Sequence, residues 1–205
     1  MSVRAFYEKD AEREVARAIE RIEAKSAAEV MVAVRASSGR YADADSILGF
    51  VLSFAGLLVF LFHPAPIRIE VFALEFPLLF ALGMALSAWI PPVRRLLASR
   101  ERLESNVTTA ARAAFVELGV SRTRERTGLL VFVSMFERKV VVIPDVGIEL
   151  EQLGEALAKV ERVLSESPDL ARLIAALDGL AEPLAQALPR ADDDENELPD
   201  TVSVS

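Results

Sequence analysis

Residues 47–62 read ILGFVLSFAGLLVFLF and residues 71–90 read VFALEFPLLFALGMALSAWI, two apolar runs that set the architecture of the chain. The first contains no charged residue, and the second contains only Glu75. A helix needs roughly 20 residues to cross the hydrocarbon core of a bilayer, so the second run is long enough and the first is slightly short. Pro64 and Pro66 lie between them, where proline ends a helix and bends the chain. Both runs are apolar on all faces, so they predict a transmembrane helical hairpin, 47–63 and 71–90, rather than a buried soluble one.

The distribution of arginine predicts how this hairpin is oriented. The connection between the runs holds only Arg68, whereas both flanks are basic: Arg35, Arg40, Arg94, Arg95, Arg100 and Arg102. The positive-inside rule therefore predicts a two-pass membrane protein with cytoplasmic N- and C-termini and the connection between the spans outside.

A few polar, aromatic and small residues in the hairpin have specific expected roles, and that of Glu75 is open. Glu75 is either an interfacial carboxylate that reaches lipid headgroups or Arg68, or an intramembrane proton or ion site. Trp89 suits the interfacial belt at the other end of its span. The small residues are expected to pack the two spans together: Ser53, Gly56, Gly83 and Ser87.

The sequence on either side of the hairpin predicts an α/β domain in two parts, 1–46 and 91–166. Helices are expected over 10–25, 104–118, 149–164 and 167–188, the last kinked near Pro183, and strands over 28–34, 129–135 and 139–143. The first two strands are joined by a long crossover, which predicts parallel pairing and requires an even number of spans between them. The acidic tail, 189–205, is expected to be disordered.

Composition excludes several classes of function. The 205 residues carry a net charge of −8, which argues against a nucleic-acid partner. The chain has no cysteine and one histidine, which excludes disulfides, thiolate zinc sites and cysteine nucleophiles. That histidine, His63, lies at the tip of the predicted hairpin and so cannot serve a Ser-His-Asp site. No glycine-rich phosphate loop is present, and no cofactor or metal is expected.

Several segments together resemble a known family. They are AEVMVAV at 28–34, FVELGV at 115–120, TRERTGLLVFVS at 123–134, FERKV at 136–140, DVGI at 145–148 and NELPD at 196–200. This pattern resembles the TPM domain, named after a thylakoid lumen protein, a photosystem II repair protein and a worm receptor modulator. It is similar in particular to the membrane-embedded bacterial branch, which carries a transmembrane pair inside the domain.

The resemblance implies a small mixed sheet sandwiched by helices and interrupted by the two-helix transmembrane hairpin. It also implies that the membrane is the bacterial inner (cell) membrane. It implies little about activity. Plant relatives have been proposed as acid phosphatases or as photosystem assembly and repair factors, and others as channel-associated proteins. The acidic positions proposed to hold metal in some relatives have no clear counterpart in this chain.

Candidate site residues cluster around the second and third strands. Arg122, Arg124 and Arg126 are candidates for binding an anion or a lipid headgroup, or they form a solvated loop. Candidate catalytic residues are Thr127, Glu137 and Asp145, each with an ordinary structural alternative in a turn or loop.

These observations favour a non-enzymatic, membrane-anchored interaction, assembly or quality-control module. Its expected partners are the lipid bilayer and other membrane proteins. The alternative is a phosphatase-type hydrolase at the cytoplasmic membrane face, motivated by the arginine-rich loop and the family proposals. A third idea, an accessory subunit of a transporter or channel, requires oligomerisation because two spans cannot enclose a pore.

Overall fold

A computed structural model describes residues 9–64, 68–166, 170–191, 196–199 and 202–204. The chain forms two compact units, one of residues 1–38 and 105–205 and the other of residues 39–104. In chain order the elements are α1 (Lys9–Glu23), β1 (Glu29–Arg35), α2 (Ala42–Phe62), α3 (Ile69–Trp89), α4 (Pro91–Leu97), α5 (Arg100–Glu117), a 3-10 turn (Val120–Arg122), β2 (Gly128–Ser134), β3 (Lys139–Pro144), α6 (Leu150–Glu166), α7 (Leu170–Asp178), α8 (Ala181–Ala187) and β4 (Val202–Val204). The predicted mixed α/β fold is confirmed.

The first unit is built on a four-stranded sheet with the order β3-β2-β1-β4. β1 runs parallel to both β2 and β4, and β2 pairs antiparallel with β3. The expected parallel pairing of the first two strands is therefore confirmed, and β2 and β3 form a β-hairpin. Every residue of β2 is buried, as its continuous apolar sequence predicts for a strand covered on both faces.

Helices cover the two faces of this sheet because successive side chains of a strand point to opposite sides. Val30 and Val32 of β1 lie in one core cluster with apolar residues of α1, α6, α7 and α8. Met31 and Ala33 lie in a second cluster with α5. The sheet is thus sandwiched between helices, as expected.

The second unit contains the helical hairpin of α2 and α3, each of 21 residues and long and apolar enough to cross a membrane. α2 begins at Ala42 and not at residue 47, so the first helix is not short. The two helices touch through small residues: a side chain added at Gly83 would lie 2.7 Å from the Cα of Gly49. Ser53 Oγ donates a hydrogen bond of 3.0 Å to the carbonyl of Phe76. Gly49 extends the predicted set of packing residues by one turn.

The expectation that Glu75 could reach Arg68 is wrong. Arg68 pairs with Glu70, with a distance of 3.3 Å between Nη2 and Oε1. Glu75 instead faces α2, where its Oε1 would lie 3.1 Å from a side chain added at Gly56. Helical geometry explains the difference, since residues 68 and 75 are two turns apart and Arg68 lies beyond the start of α3.

The single C-terminal helix predicted over 167–188 is wrong; α7 and α8 are separate, and residues 167–169 lie outside the described residues. The break falls at Gly179, where Leu180 N donates to the carbonyl of Leu177 at 2.8 Å. Glycine is a poor helix former, which favours the break. Pro183 produces no kink because it lies in the first turn of α8, where a missing N–H costs no hydrogen bond.

The prediction of a disordered tail is also wrong for its described residues. Leu198 is 8% exposed, and Val202–Val204 form β4. The physical reason is the open edge of β1, whose backbone groups and flanking apolar faces need a cover. The acidic residues 192–195 lie outside the described residues.

Candidate functional site

The predicted site residues lie at opposite ends of β2 and do not form one site. Thr127 and Asp145 lie at the end where β2 begins, because β3 returns antiparallel and ends beside Gly128. Glu137 follows the other end of β2. A seven-residue strand separates the two groups by about 20 Å, so Glu137 and Asp145 cannot act on one substrate atom.

Asp145 follows β3 and forms an ion pair with Arg126 of the loop that precedes β2. Its side chain is buried, and Arg126 Nη2 donates a 3.0 Å hydrogen bond to Oδ1. Oδ2 lies 2.8 Å from Arg126 Nε, an ion-pair contact that falls short of hydrogen-bond geometry. Val146 N also donates to Oδ1, at 2.8 Å. The carboxylate therefore holds two loops together through Oδ1, and Oδ2 is buried beside the guanidinium of Arg126.

A close backbone crossing fixes this arrangement. Arg126 has a φ of +60°, an uncommon conformation for a residue with a side chain. Gly147 N donates to the carbonyl of Arg126 at 2.9 Å, and a side chain at Gly147 would lie 2.4 Å from the carbonyl of Glu125. Only glycine fits at position 147, which explains the DVGI sequence after β3.

The remaining candidates at this end are exposed cations and a buried hydroxyl residue. Arg122 and Arg124 are exposed, and Arg124 Nε lies 3.7 Å from Oε1 of Glu197 in the tail. Thr127 is buried, and its backbone N donates to Thr123 Oγ1 at 3.0 Å. Two of the three predicted anion-binding arginines, at positions 124 and 126, are therefore already partnered by carboxylates.

Glu137 is buried and is the centre of a network with three serines at the carboxyl ends of β1 and β2, of which Ser134 is buried and Ser37 is exposed. Its Oε1 accepts hydrogen bonds from Ser37 Oγ at 3.2 Å and from Ser38 N at 2.9 Å. Its Oε2 accepts a short hydrogen bond from Ser134 Oγ. The hydroxyls of Ser38 and Ser134 are 2.6 Å apart. We refer to Ser37, Ser38, Ser134 and Glu137 as the Glu137 network.

The Glu137 network lies where parallel α/β sheets often place binding residues, beyond the carboxyl ends of neighbouring strands. Its chemistry is nevertheless that of a satisfied structural carboxylate, because three donors already occupy its oxygens. Sequence analysis singled out Glu137 but missed the serines. The available signal was that Ser37 and Ser38 follow β1 and Ser134 ends β2, since parallel pairing brings these ends to one edge.

No group of three or more acidic or histidine side chains that could hold a metal ion occurs among the described residues.

A second polar group that sequence analysis missed lies at the base of the hairpin, within residues 39–104. Asp45, in the first turn of α2, is buried, and its Oδ2 accepts a 2.9 Å hydrogen bond from Arg94 of α4. The same guanidinium lies 5.8 Å from the ring centre of the buried Tyr41. Asp43 forms a more exposed ion pair with Arg102. These residues hold the start of α2 against the chain that follows α3, and we call them the hairpin-base cluster.

Comparisons with known proteins inform the fold alone. No protein-family model matches the chain, and no curated protein is similar to it in sequence. A similar solved structure is that of the BA42 protein from the psychrophilic bacterium Bizionia argentinensis, determined by NMR. The two chains share 14% identity with a TM-score of 0.56, over 96% of this chain and 93% of the other. The resemblance to the TPM domain stays a prediction.

Proposed function

We propose that this chain is a non-enzymatic, membrane-anchored interaction module of the TPM type, serving assembly or quality control of membrane proteins. In this proposal α2 and α3 cross the bacterial inner membrane, and both termini and the α/β domain are cytoplasmic. The observation that carries it is the contrast between an exposed apolar hairpin and a domain whose buried carboxylates are already bonded.

The surface of the hairpin supports the anchoring part of the proposal. Large apolar side chains project outward from both helices, with Phe54 59% exposed and Leu78 67% exposed. Water solvates such a surface poorly, whereas a bilayer solvates it well. Trp89, at the end of α3, is 87% exposed, as suits a side chain at the membrane interface.

The polar groups of the domain support binding over catalysis. A hydrolase needs a nucleophile or metal close to cationic or amide groups that stabilise the developing charge. Asp145 is paired with Arg126, Thr127 is buried, and Glu137 accepts three hydrogen bonds about 20 Å away. No specific contact among the described residues favours the phosphatase alternative.

Topology is tested with single cysteines, because the natural chain has none. His63→Cys places a thiol at the exposed end of α2, and Val146→Cys places one on the domain, where Val146 is 84% exposed. In intact cells a membrane-impermeant maleimide is expected to label only the first variant, and both after lysis. Labelling of only the second would put the domain outside, and no labelling before lysis would contradict a spanning hairpin.

Binding and catalysis are separated by assaying the detergent-purified chain with an aryl phosphate. We expect no turnover above the buffer rate for the natural chain or for Asp145→Asn. Turnover that is present in the natural chain and lost in Asp145→Asn, with the fold retained by circular dichroism, would overturn the non-enzymatic proposal in favour of the phosphatase.

A further inference from the structure

The C-terminal tail is bound to the sheet as an extended peptide would be. Leu198 is buried among apolar residues on the α5 face of the sheet, including Met31 and Phe132. Its backbone N donates a 2.9 Å hydrogen bond to Oε2 of Glu29, at the start of β1. Beside this contact, Asn196 lines a pocket of about 150 Å³ together with Glu29.

The last described residues of the tail complete the sheet edge. Val202 pairs with Val32 and Val204 with Val34 in a parallel ladder. Both tail valines pack against the core cluster on the α1 face, the opposite face from Leu198. The tail therefore covers both apolar faces at the edge of β1.

Arg35 forms hydrogen bonds with the tail at Ser203. Its Nη1 donates hydrogen bonds to the carbonyl of Ser203 at 3.1 Å and to the hydroxyl of the same serine at 3.3 Å. At the other end, Glu197 Oε2 accepts from the backbone N of Arg124 at 2.9 Å. The strand pairing and the bond from Leu198 N suit any extended main chain. Side-chain specificity comes from one apolar leucine and two valines, with hydrogen bonds to the side chains of Glu197 and Ser203.

The short length of β4 would allow another extended segment to replace it at the edge of β1. The strand has three residues, all of them half-buried, whereas β1 and β2 pair over seven. A short edge strand with few buried contacts opens at a much lower free energy than a central strand. An emptied edge of β1 would offer unpaired backbone groups between two apolar faces, which is the surface that strand addition uses.

We propose that the edge of β1 is a peptide-binding groove, occupied in cis by residues 196–199 and 202–204, whose partner is an extended segment of another protein. The segment would carry leucine followed by valine four and six residues later, uncharged at those three positions, and would displace the tail. This inference rests on the proposed function and names the surface through which the module would bind.

The test uses a fluorescent peptide with the sequence of residues 196–205, NELPDTVSVS, and the full chain in detergent. The variant Leu198→Asp with Val202→Asp, which we call the release variant, is expected to free the groove of the tail without changing the residues of β1 and the sheet faces that line it. A tethered tail competes at an effective concentration on the order of 1 mM, so for a peptide dissociation constant of about 100 µM the release variant should bind about tenfold more tightly than the natural chain.

Matched controls test the apolar positions of the peptide and the contribution of Arg35 in the groove. A peptide with aspartate at its leucine and two valine positions is expected not to bind. Arg35→Ala in the release variant should weaken binding of the unmodified peptide severalfold, because it removes the hydrogen bonds to the serine. Equal binding of both peptides, or no binding to a folded release variant, would overturn the groove.

A second measurement on the natural chain covers the case in which the release variant does not fold. Hydrogen exchange of residues 202–204 is expected to be at least about 100-fold faster than that of residues 129–133, as for an element that opens locally. Equally slow exchange would make β4 an integral strand and overturn the inference. The proposed function fails by different results, an inverted topology or phosphate turnover, so the two failures are distinguishable.

Discussion

Replacing Glu137 tests whether the Glu137 network holds the strand ends together. Glu137→Ala removes the acceptor for Ser38 N and Ser134 Oγ, and for the exposed hydroxyl of Ser37. The Ser37 hydroxyl returns to water and loses little. The other two donors are partly or fully buried, and hydrogen bonds to a charged group contribute about 1.5–3 kcal/mol each.

We expect Glu137→Ala to reduce the free energy of unfolding of the α/β unit by about 3 kcal/mol. This estimate takes about 1.5 kcal/mol for each of the two buried donors, the lower end of the range, because the Ser134 hydroxyl keeps the Ser38 hydroxyl as a partner. Glu137→Gln retains one acceptor oxygen and should cost about 1 kcal/mol.

Hydrogen exchange of the amides of residues 129–133 is the suitable assay, because these residues are in the buried central strand β2. The single tryptophan lies in α3 and does not report on this unit. A loss of 3 kcal/mol should accelerate exchange by roughly 100-fold, and a loss of 1 kcal/mol by roughly fivefold. The control is Glu155→Ala, because Glu155 is an exposed carboxylate that pairs with Lys159 one turn away, and it should change exchange by no more than about twofold.

Exchange within about threefold of the natural chain in Glu137→Ala would refute the reasoning, since two buried donors cannot lose their acceptor at no cost. Unchanged exchange together with loss of a measured hydrolytic activity would instead assign Glu137 a catalytic role.

Three further predictions use the same chain in detergent. Gly83→Leu should destabilise the hairpin by at least about 1–3 kcal/mol in thermal unfolding followed by tryptophan fluorescence, because its side chain meets backbone atoms, whereas Ala81→Leu, at an exposed position of the same helix, should be neutral or slightly stabilising. Asp45→Ala should cost about 3 kcal/mol by the same fluorescence measurement, since its arginine partner is left half-buried, and Asp43→Ala, from an exposed pair, should cost less than about 1 kcal/mol; equal losses would contradict this distinction. Asp145→Asn should accelerate hydrogen exchange of β2 by about tenfold through the weakened ion pair, and an unchanged rate would mean that this pair contributes nothing to stability.

Much of the fold could be predicted because its signals are local. The run from Leu129 to Val133 is apolar at every position, which predicts a strand covered on both faces, and the structure buries all five residues. The parallel pairing of β1 and β2 followed from the length of chain between them. The boundary of α2 could not be predicted, since its first turn contains Asp43 and Asp45, whose arginine partners lie 59 and 49 residues further along the chain.

The candidate site could be predicted only in part. Glu137 and Asp145 were recognised by residue type, but their separation by the length of β2 depends on the direction in which β3 returns. The serines that surround Glu137 come from the ends of two strands, and only the parallel register brings them to one carboxylate. A residue's sequence neighbours do not indicate which distant donors will bond to it.

The sequence by itself determined the order of elements, the apolar hairpin and the absence of cysteine chemistry. These features depend on composition and on patterns within short segments, which can be seen without knowing distant contacts. Tertiary structure alone decided that Asp145 is neutralised by Arg126, that Glu75 faces Gly56, and that the tail forms a strand on β1. The tail shows the physical reason most directly. A three-residue valine-containing segment has too few local interactions to order itself, and it becomes a strand only because the open edge of the sheet supplies backbone partners and apolar cover.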